Sequence, residues 1–353
     1  MSGVLDIARP DLVGLQPYQH AAWEPTLERM HANELPWRTL GDNTRAGLNR
    51  YPEPQPRQLV RALATLYEVA PERVLIGRGS DEAIDLLVRG FCRAGQDRVM
   101  IFPPTFGMYA VAARIQGAGI VEVPLDRERG FALDEAAIVE RWRPGTKILF
   151  FCSPNNPTGN LLDSQAILRL CSQLAGQALV VIDEAYVEFS AAASLSAALV
   201  SHGNLVVLRT LSKAHALAGA RCGVLLGDPA LVDLLRRMIP PYALSGPTIE
   251  AALRALEPPQ LAISRARRDT IVAERSRLAA ALARLPVVSR VWPSVANFLL
   301  VECPDPDRAL RAAIDAGFLI RDVRRYPGLG SHVRISIGTP EQNDRLLQAL
   351  EAA

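Results

Sequence analysis

Four short stretches of this chain carry side chains able to do chemistry, and each follows an apolar run. Residues 178–182 lead into Asp183-Glu184-Ala185-Tyr186. A carboxylate at the end of a buried strand is costly unless it meets a partner, and in open α/β sheets ligands bind outside the strands' carboxyl ends. Read singly, Asp183 also fits a turn or a helix cap. Residues 205–210 lead into Leu211-Ser212-Lys213, followed by Gly219-x-Arg221-Cys222-Gly223. A lone loop lysine is ordinarily solvated, but Thr210, Ser212 and Arg221 around Lys213 make a set suited to holding phosphate. Cys152-Ser153-Pro154-Asn155-Asn156-Pro157-Thr158-Gly159 follows the run 147–151; alone it reads equally as an Asn-Pro turn. Gly77-Arg78-Gly79-Ser80-Asp81-Glu82 joins a strand to an apolar helix. Free N–H groups at such a helix start can cradle a phosphate, although Ser80 or Asp81 could simply cap it. The stretch is neither a Walker loop nor a complete GxGxxG fingerprint. Asn156 and Asp183 are 27 residues apart, and Asp183 and Lys213 are 30 apart. Each interval is about one strand-helix-strand unit, so all three can reach one sheet edge.

The elements that must position these residues are legible in the hydrophobic pattern. Strands are expected at 74–76, 98–102, 120–123, 147–151, 178–182, 205–208 and 222–226. Most are continuously apolar, as in strands covered on both faces of a mostly parallel sheet. Helices are expected to begin near Asp81, Phe106, Asp134, Asp163 and Asp228. The alternation predicts an α/β fold: a mostly parallel seven-stranded sheet sandwiched by helices. Beyond Pro240-Pro241 the pattern changes. An Ala/Leu/Arg-rich stretch runs to about residue 285, broken at Pro258-Pro259. Short runs at 287–292, 297–301, 318–320 and 333–337 follow, with helices near 307–316 and from Pro340. This predicts a smaller α+β domain. The expected division is a wrapping segment at 1–45 counted with the smaller domain, a large domain at 46–240, and a small C-terminal domain at 241–353.

The 353 residues are 49% hydrophobic with a net charge of +2, so a sizeable core is available and nothing calls for nucleic acid or an anionic membrane. Five scattered cysteines without a CxxC pair argue against a disulfide framework and for a reducing cytoplasm. The five histidines show no HxxxH or HExxH spacing, so no metal is expected. No secretory signal and no membrane-spanning stretch is expected.

Taken together, Asn-Pro-Thr-Gly, Asp-Glu-Ala-Tyr, Ser-Lys and Arg-x-Gly, in that order, resemble the fold-type-I aminotransferases dependent on pyridoxal phosphate (PLP). The likeness covers nearly the whole chain. Within that group, Pro17-Tyr18, Ala32-Asn33-Glu34, Asn49-Arg50-Tyr51-Pro52-Glu53-Pro54, Pro103-Pro104-Thr105-Phe106-Gly107-Met108-Tyr109, Ile320-Arg321-Asp322 and the stretch from Val333 to Thr339 resemble the histidinol-phosphate aminotransferase family. The N-terminal stretch departs from the family pattern at Gln19 to Trp23, at Met30-His31 and at Leu35-Pro36-Trp37.

The resemblance implies PLP held on Lys213 as a Schiff base, with Lys213 then serving as the proton shuttle. It implies Asp183 against the pyridine nitrogen, and Asn156 and Tyr186 at the phenolic oxygen. Ser80, Asp81, Thr210, Ser212 and Arg221 would hold the phosphate, and Phe106, where the family commonly has tyrosine, would stack on the ring. Tyr51 would reach the cofactor phosphate of a partner subunit, making a homodimer. Arg334, Arg321 and Tyr18, with Asn156, would bind substrate. The implied reaction is ping-pong exchange between L-histidinol phosphate with 2-oxoglutarate and imidazole-acetol phosphate with L-glutamate. Alternatives are a PLP lyase like threonine-phosphate decarboxylase, an aromatic aminotransferase of broad range, and a non-catalytic PLP-binding protein.

Overall fold

Seven strands build the sheet on which the large part of the molecule rests: β1 (Val74–Gly77), β2 (Arg98–Ile101), β3 (Gly119–Glu122), β4 (Thr146–Cys152), β5 (Leu179–Asp183), β6 (Leu205–Thr210) and β7 (Gly223–Leu226). The computed structural model describes residues 3–24 and 26–353; Met1, Ser2 and Pro25, which belong to the expected wrapping segment, lie outside the described residues. The strand order is β1-β7-β6-β5-β4-β2-β3. All pairings are parallel except those of β7, which runs antiparallel to both β6 and β1. Every residue of β5 and β6 is buried. Val180 and Ile182 enter one core while Leu179 and Val181 enter the other, so both sheet faces are covered. Burying each such side chain is worth about 1.5–3 kcal/mol.

The helices are α1 (Pro10–Val13), α2 (Arg57–Leu66), α3 (Ser80–Phe91), α4 (Met108–Gln116), α5 (Glu135–Arg141), α6 (Ser164–Gln173), α7 (Pro229–Met238), α8 (Gly246–Ala255), α9 (Pro258–Leu282), α10 (Pro306–Asp315) and α11 (Pro340–Glu351). Aspartates expected at helix starts are side-chain caps: Asp134, Asp163 and Asp228 accept from N–H groups of α5, α6 and α7. Thr339 and Gln342 form a capping box on α11. Pro258 separates α8 from α9, as the break in the Ala/Leu/Arg-rich stretch predicts. Helix α2 is not in the expected pattern.

A second sheet has the order β10-β11-β9-β8, with β8 (Arg290–Val291), β9 (Phe298–Glu302), β10 (Arg321–Asp322) and β11 (His332–Ser336). Two sequence expectations are corrected here. The run 287–292 yields only two strand residues, because Val287 and Val288 turn inward onto the small core instead of extending the ladder. In the run 318–320, Phe318 and Ile320 pack against the small core while Leu319 is exposed, and the strand begins one residue later at Arg321. The opening residues also differ from expectation. Val4, Ile7 and Ala8 are buried in a core of the large sheet, and the Arg9 N–H donates to the Gly90 carbonyl at 2.9 Å. Apolar side chains there dock on the large unit, not on the smaller sheet. No helix among the described residues is long and apolar enough to cross a membrane.

Candidate active site

Strand direction explains why distant residues meet. β4, β5 and β6 are parallel, so their carboxyl ends share one edge. Asp183 ends β5, Lys213 lies three residues past β6, and Asn156 lies four past β4. Because β7 is reversed, its beginning sits at that same edge, with Gly223 opposite Thr210. Arg221 is thereby placed near Lys213. β1 is reversed again relative to β7, so Gly77 pairs with Gly223 and the loop entering α3 also arrives there. The approach is close: a Cβ on Gly223 would fall 2.1 Å from the Gly79 carbonyl carbon. Gly79 itself has φ +92°, a conformation that glycine adopts without strain.

One pocket is lined by Asp183, Tyr186, Asn156 and Phe106 on one side, and by Ser80, Asp81, Thr210, Ser212, Lys213 and Arg221 on the other. Helix α3 is capped by Gly79 without any side-chain bond. The main-chain N–H groups of Ser80 and Asp81 therefore face the pocket without an acceptor among the described residues, a donor pair ready for an anion. Arg221 stands beside them, its Nη2 donating to Asp81 Oδ2 at 3.1 Å.

Asp183 is 3% exposed. Its Oδ2 accepts from the Tyr109 hydroxyl at 3.0 Å and its Oδ1 from the Ala185 N–H at 3.1 Å. Neither donor is a cation, and burial pushes the carboxyl up to about 6. Burial also lowers the Lys213 pKa, helped by the Arg334 and Arg221 charges and opposed by Asp81 and Asp183. Lys213 Nζ lies 5.8 Å from the centre of the Tyr186 ring and makes no hydrogen bond among the described residues. Burial raises the Tyr186 phenol, with Arg334 acting against it.

Arg334 comes from β11 of the smaller sheet. Its Nη1 donates to Asn156 Oδ1, and its guanidinium lies 5.1 Å from the Phe298 ring centre. The Asn156 amide in turn donates to the Tyr186 hydroxyl at 3.4 Å. Burial lowers the Arg334 pKa, its Nε is buried without a partner, and it pairs with no carboxylate among the described residues. Arg321 is directly opposite Arg334 across β10 and β11, so the two project from the same face. Tyr18 and Tyr51 are not brought in. Tyr18 is 73% exposed and lines a different cavity with His20 and Trp23. Tyr51 stacks on Tyr242 with ring centres 4.4 Å apart.

Several participants escaped the sequence reading. Tyr109 is fully buried, stacked on Phe150, and supplies the hydroxyl on Asp183. It sits three residues after Phe106, at the end of the string Pro103 to Tyr109, and that nearness was the available signal. Arg209 bridges Glu184 at 3.2 Å and Glu188 at 2.7 Å, pinning the backbone on both sides of Tyr186. Asn155 donates to Thr158 Oγ1 at 2.6 Å and the Pro104 carbonyl at 2.8 Å, which fixes the loop presenting Asn156. Tyr326 lies close enough to Arg334 and Tyr186 to influence both charges.

Comparison with known proteins agrees with this geometry. The family model for aminotransferase class I and II matches residues 25–350. The histidinol-phosphate aminotransferase of Stenotrophomonas maltophilia is 48% identical over 99% of this chain and 97% of its own. The solved histidinol-phosphate aminotransferase of Sinorhizobium meliloti in complex with pyridoxal-5′-phosphate superposes with a TM-score of 0.73. It is 26% identical, over 86% of this chain and 82% of that one. L-threonine-O-3-phosphate decarboxylase of Porphyromonas gingivalis superposes with a TM-score of 0.74 at 27% identity, over 86% of this chain and 90% of that one. The fold, the gathered edge and near half-identity across the full length make this chain a member of the class I and II aminotransferase family, on its histidinol-phosphate aminotransferase branch.

Proposed function

We propose that this aminotransferase carries PLP on Lys213 and exchanges the amino group of L-histidinol phosphate with 2-oxoglutarate. The observation that carries the substrate side is Arg334: half-buried, paired with no carboxylate among the described residues, touching Asn156 and opposite Arg321. A guanidinium so placed needs an anion. The phosphate of an amino alcohol phosphate and the carboxylate of glutamate or 2-oxoglutarate can occupy that cluster in turn, as a ping-pong exchange requires.

The pocket's donors suit the cofactor. The Ser80 and Asp81 N–H groups, with Thr210, Ser212 and Arg221, would hold its phosphate. Asp183 would meet the ring N–H, which answers the cost of a buried carboxylate lacking a cation. Asn156 and Tyr186 would hold the phenolic oxygen, and Phe106 the ring face. When bound, PLP supplies an electron sink for the substrate carbon that bears nitrogen. Lys213 Nζ, its pKa depressed by burial and two arginines, anchors the cofactor and then takes up and returns the proton at that carbon. Asp183 would hold a proton on the ring nitrogen. Arg334 and Arg321 orient the anion.

The same reading divides the chain into a large unit at 46–240 and a smaller one at 241–353. It makes the active form a homodimer in which Tyr51 reaches the partner's cofactor phosphate. A cytoplasmic setting suits five buried cysteines that are all free thiols.

Adding L-histidinol phosphate to the PLP-loaded protein should convert the cofactor to its amino form, seen as an absorbance change that 2-oxoglutarate reverses. No change would remove the substrate assignment. Carbon dioxide release from L-threonine phosphate without any keto acid would favour the lyase reading. A Lys213→Ala protein should lose the absorbance of lysine-bound cofactor; its persistence would remove the role given to Lys213.

A further inference from the structure

A cavity of about 440 Å³ opens between the segment 213–216, helix α9 and residues 297 and 338–340 of the smaller unit; Asp183 does not line it. No carboxylate lines it among the described residues. Arg267, Arg268 and His215 line it beside Lys213, and Phe189, Ile263 and Ile271 form an apolar wall. Farther along α9, Arg277 is paired with Glu274 and Asp344. Arg267 and Arg268 pair with no carboxylate among the described residues. The buried Nε of Arg268 and the buried Nδ1 of His215 find no hydrogen-bond partner. The nearby acid Glu188 lies in a separate cavity of about 280 Å³, across the partition formed by His215, Ser264 and Arg268, and is already engaged by Arg209 at 2.7 Å. The hydroxyls are also committed. Ser264 donates to the Ala214 carbonyl at 2.6 Å, and Thr270 donates to the Ala266 carbonyl at 3.1 Å. Beside Lys213 and the side-chain amides of Asn297 and Gln260, which also line the cavity, the guanidinium and imidazole groups are therefore donors without a committed acceptor among the described residues, set against hydrocarbon.

We infer that this cavity is an accessory binding site for a small organic carboxylate with an apolar body. The planar guanidinium of Arg268 takes the carboxylate side-on. The Phe189, Ile263 and Ile271 wall covers the hydrocarbon. Ser264 holds the carbonyl of the residue next to Lys213, so an occupant rests against the segment that carries the lysine. The site is distinct from the Arg334 and Arg321 cluster proposed above to bind substrate, although Lys213 lines both this cavity and the pocket of Asp183.

The test uses the full chain loaded with PLP, with benzoate as probe and benzamide as its neutral counterpart, by titration calorimetry. Benzoate should bind saturably, one equivalent per chain, and more tightly than benzamide. Arg268→Gln should weaken it by about tenfold or more, the scale of a lost charge-assisted contact. Ile263→Trp, on an exposed helix face, should block it without touching the core. Arg334→Gln should leave it unchanged. Loss of binding with Arg334→Gln would place the probe in the catalytic cleft and overturn the inference. Equal affinity for benzamide, or indifference to both Arg268→Gln and Ile263→Trp, would overturn it as well. Should Arg268→Gln fail to fold, the Ile263→Trp result decides.

Discussion

At Asp183 the ordinary preference of a carboxylate for water is set against its position. The folded protein binds the Asp183 proton with a pKa of about 6, against an ordinary 3.8. Between those values the folded state holds more protons than the unfolded one, so stability falls as pH rises through that window. Above it the cofactor-free protein bears a cost of about 3 kcal/mol. Asp183→Asn should therefore make the cofactor-free protein more stable at pH 7.5 and flatten its stability between pH 4 and 6, as read by urea unfolding. The same variant should hold PLP poorly. An unchanged pH dependence would show that Asp183 is not the strained group. Tyr109→Phe makes the opposite change. It removes the hydroxyl on Asp183 Oδ2 and leaves a buried oxygen without its donor, a loss of about 1–3 kcal/mol. The carboxyl midpoint, followed by ¹³C NMR of labelled aspartate, should move further up; a downward shift would contradict the role given to Tyr109.

Among the elements, the reversed strand β7 does the most to shape the site. Its antiparallel pairing brings Arg221 and the α3 loop to the edge already occupied by Lys213. The contact has no spare room, since a methyl group on Gly223 would meet the Gly79 and Ser80 backbone at 2.1–2.3 Å. Gly223→Ala should lower stability by at least about 1–3 kcal/mol, as overpacking does, and should weaken PLP binding by displacing the N-terminus of α3. Normal melting and normal cofactor affinity in that variant would mean that the loop yields easily. Strand β11 contributes in another way. It delivers Arg334 from the smaller sheet, so the substrate recognition proposed for Arg334 would depend on how that sheet is seated on α9. Arg275 of α9 fixes part of this seating by donating to the Phe189 and Ala296 carbonyls, each at 3.0 Å.

For the molecule as a whole, the stretch from Tyr18 to Tyr51 stands out. Leu27, Met30, Leu35, Trp37 and Leu40 are all more than two-thirds exposed, a run of apolar side chains that calls for a covering surface. The proposed cover is a second copy, with Tyr51 completing the neighbour's pocket. Lys213→Ala and Tyr51→Ala proteins should each be nearly inactive. Mixed after unfolding and refolded together, they should recover about a quarter of wild-type activity, because random pairing leaves one intact site in each mixed dimer. No recovery would remove Tyr51 from the partner's site.

Much of this was readable from residue order alone. Apolar runs located the large-sheet strands, most clearly the inner ones, because strands covered on both faces have no polar side to confuse the pattern, whereas β3 at the edge is only partly buried. Aspartate caps located helix starts, because capping is a local bond between neighbours in sequence. The spacing of Asn156, Asp183 and Lys213 pointed to one edge, because parallel strands return to it at regular intervals. The two-residue strands β8 and β10 were misplaced, since so short a pairing is chosen by the partner strand and not by local preference. Tyr109 on Asp183, Arg209 on Glu184 and Glu188, and Arg334 on Asn156 were decided only by the tertiary structure. Each joins residues far apart in the chain, and side-chain direction at such distances is set by packing. The residue types and their order thus determined the chemistry available to this aminotransferase, while the folded sheet decided which carboxylate is strained, which arginine meets no carboxylate among the described residues and which glycine cannot be replaced.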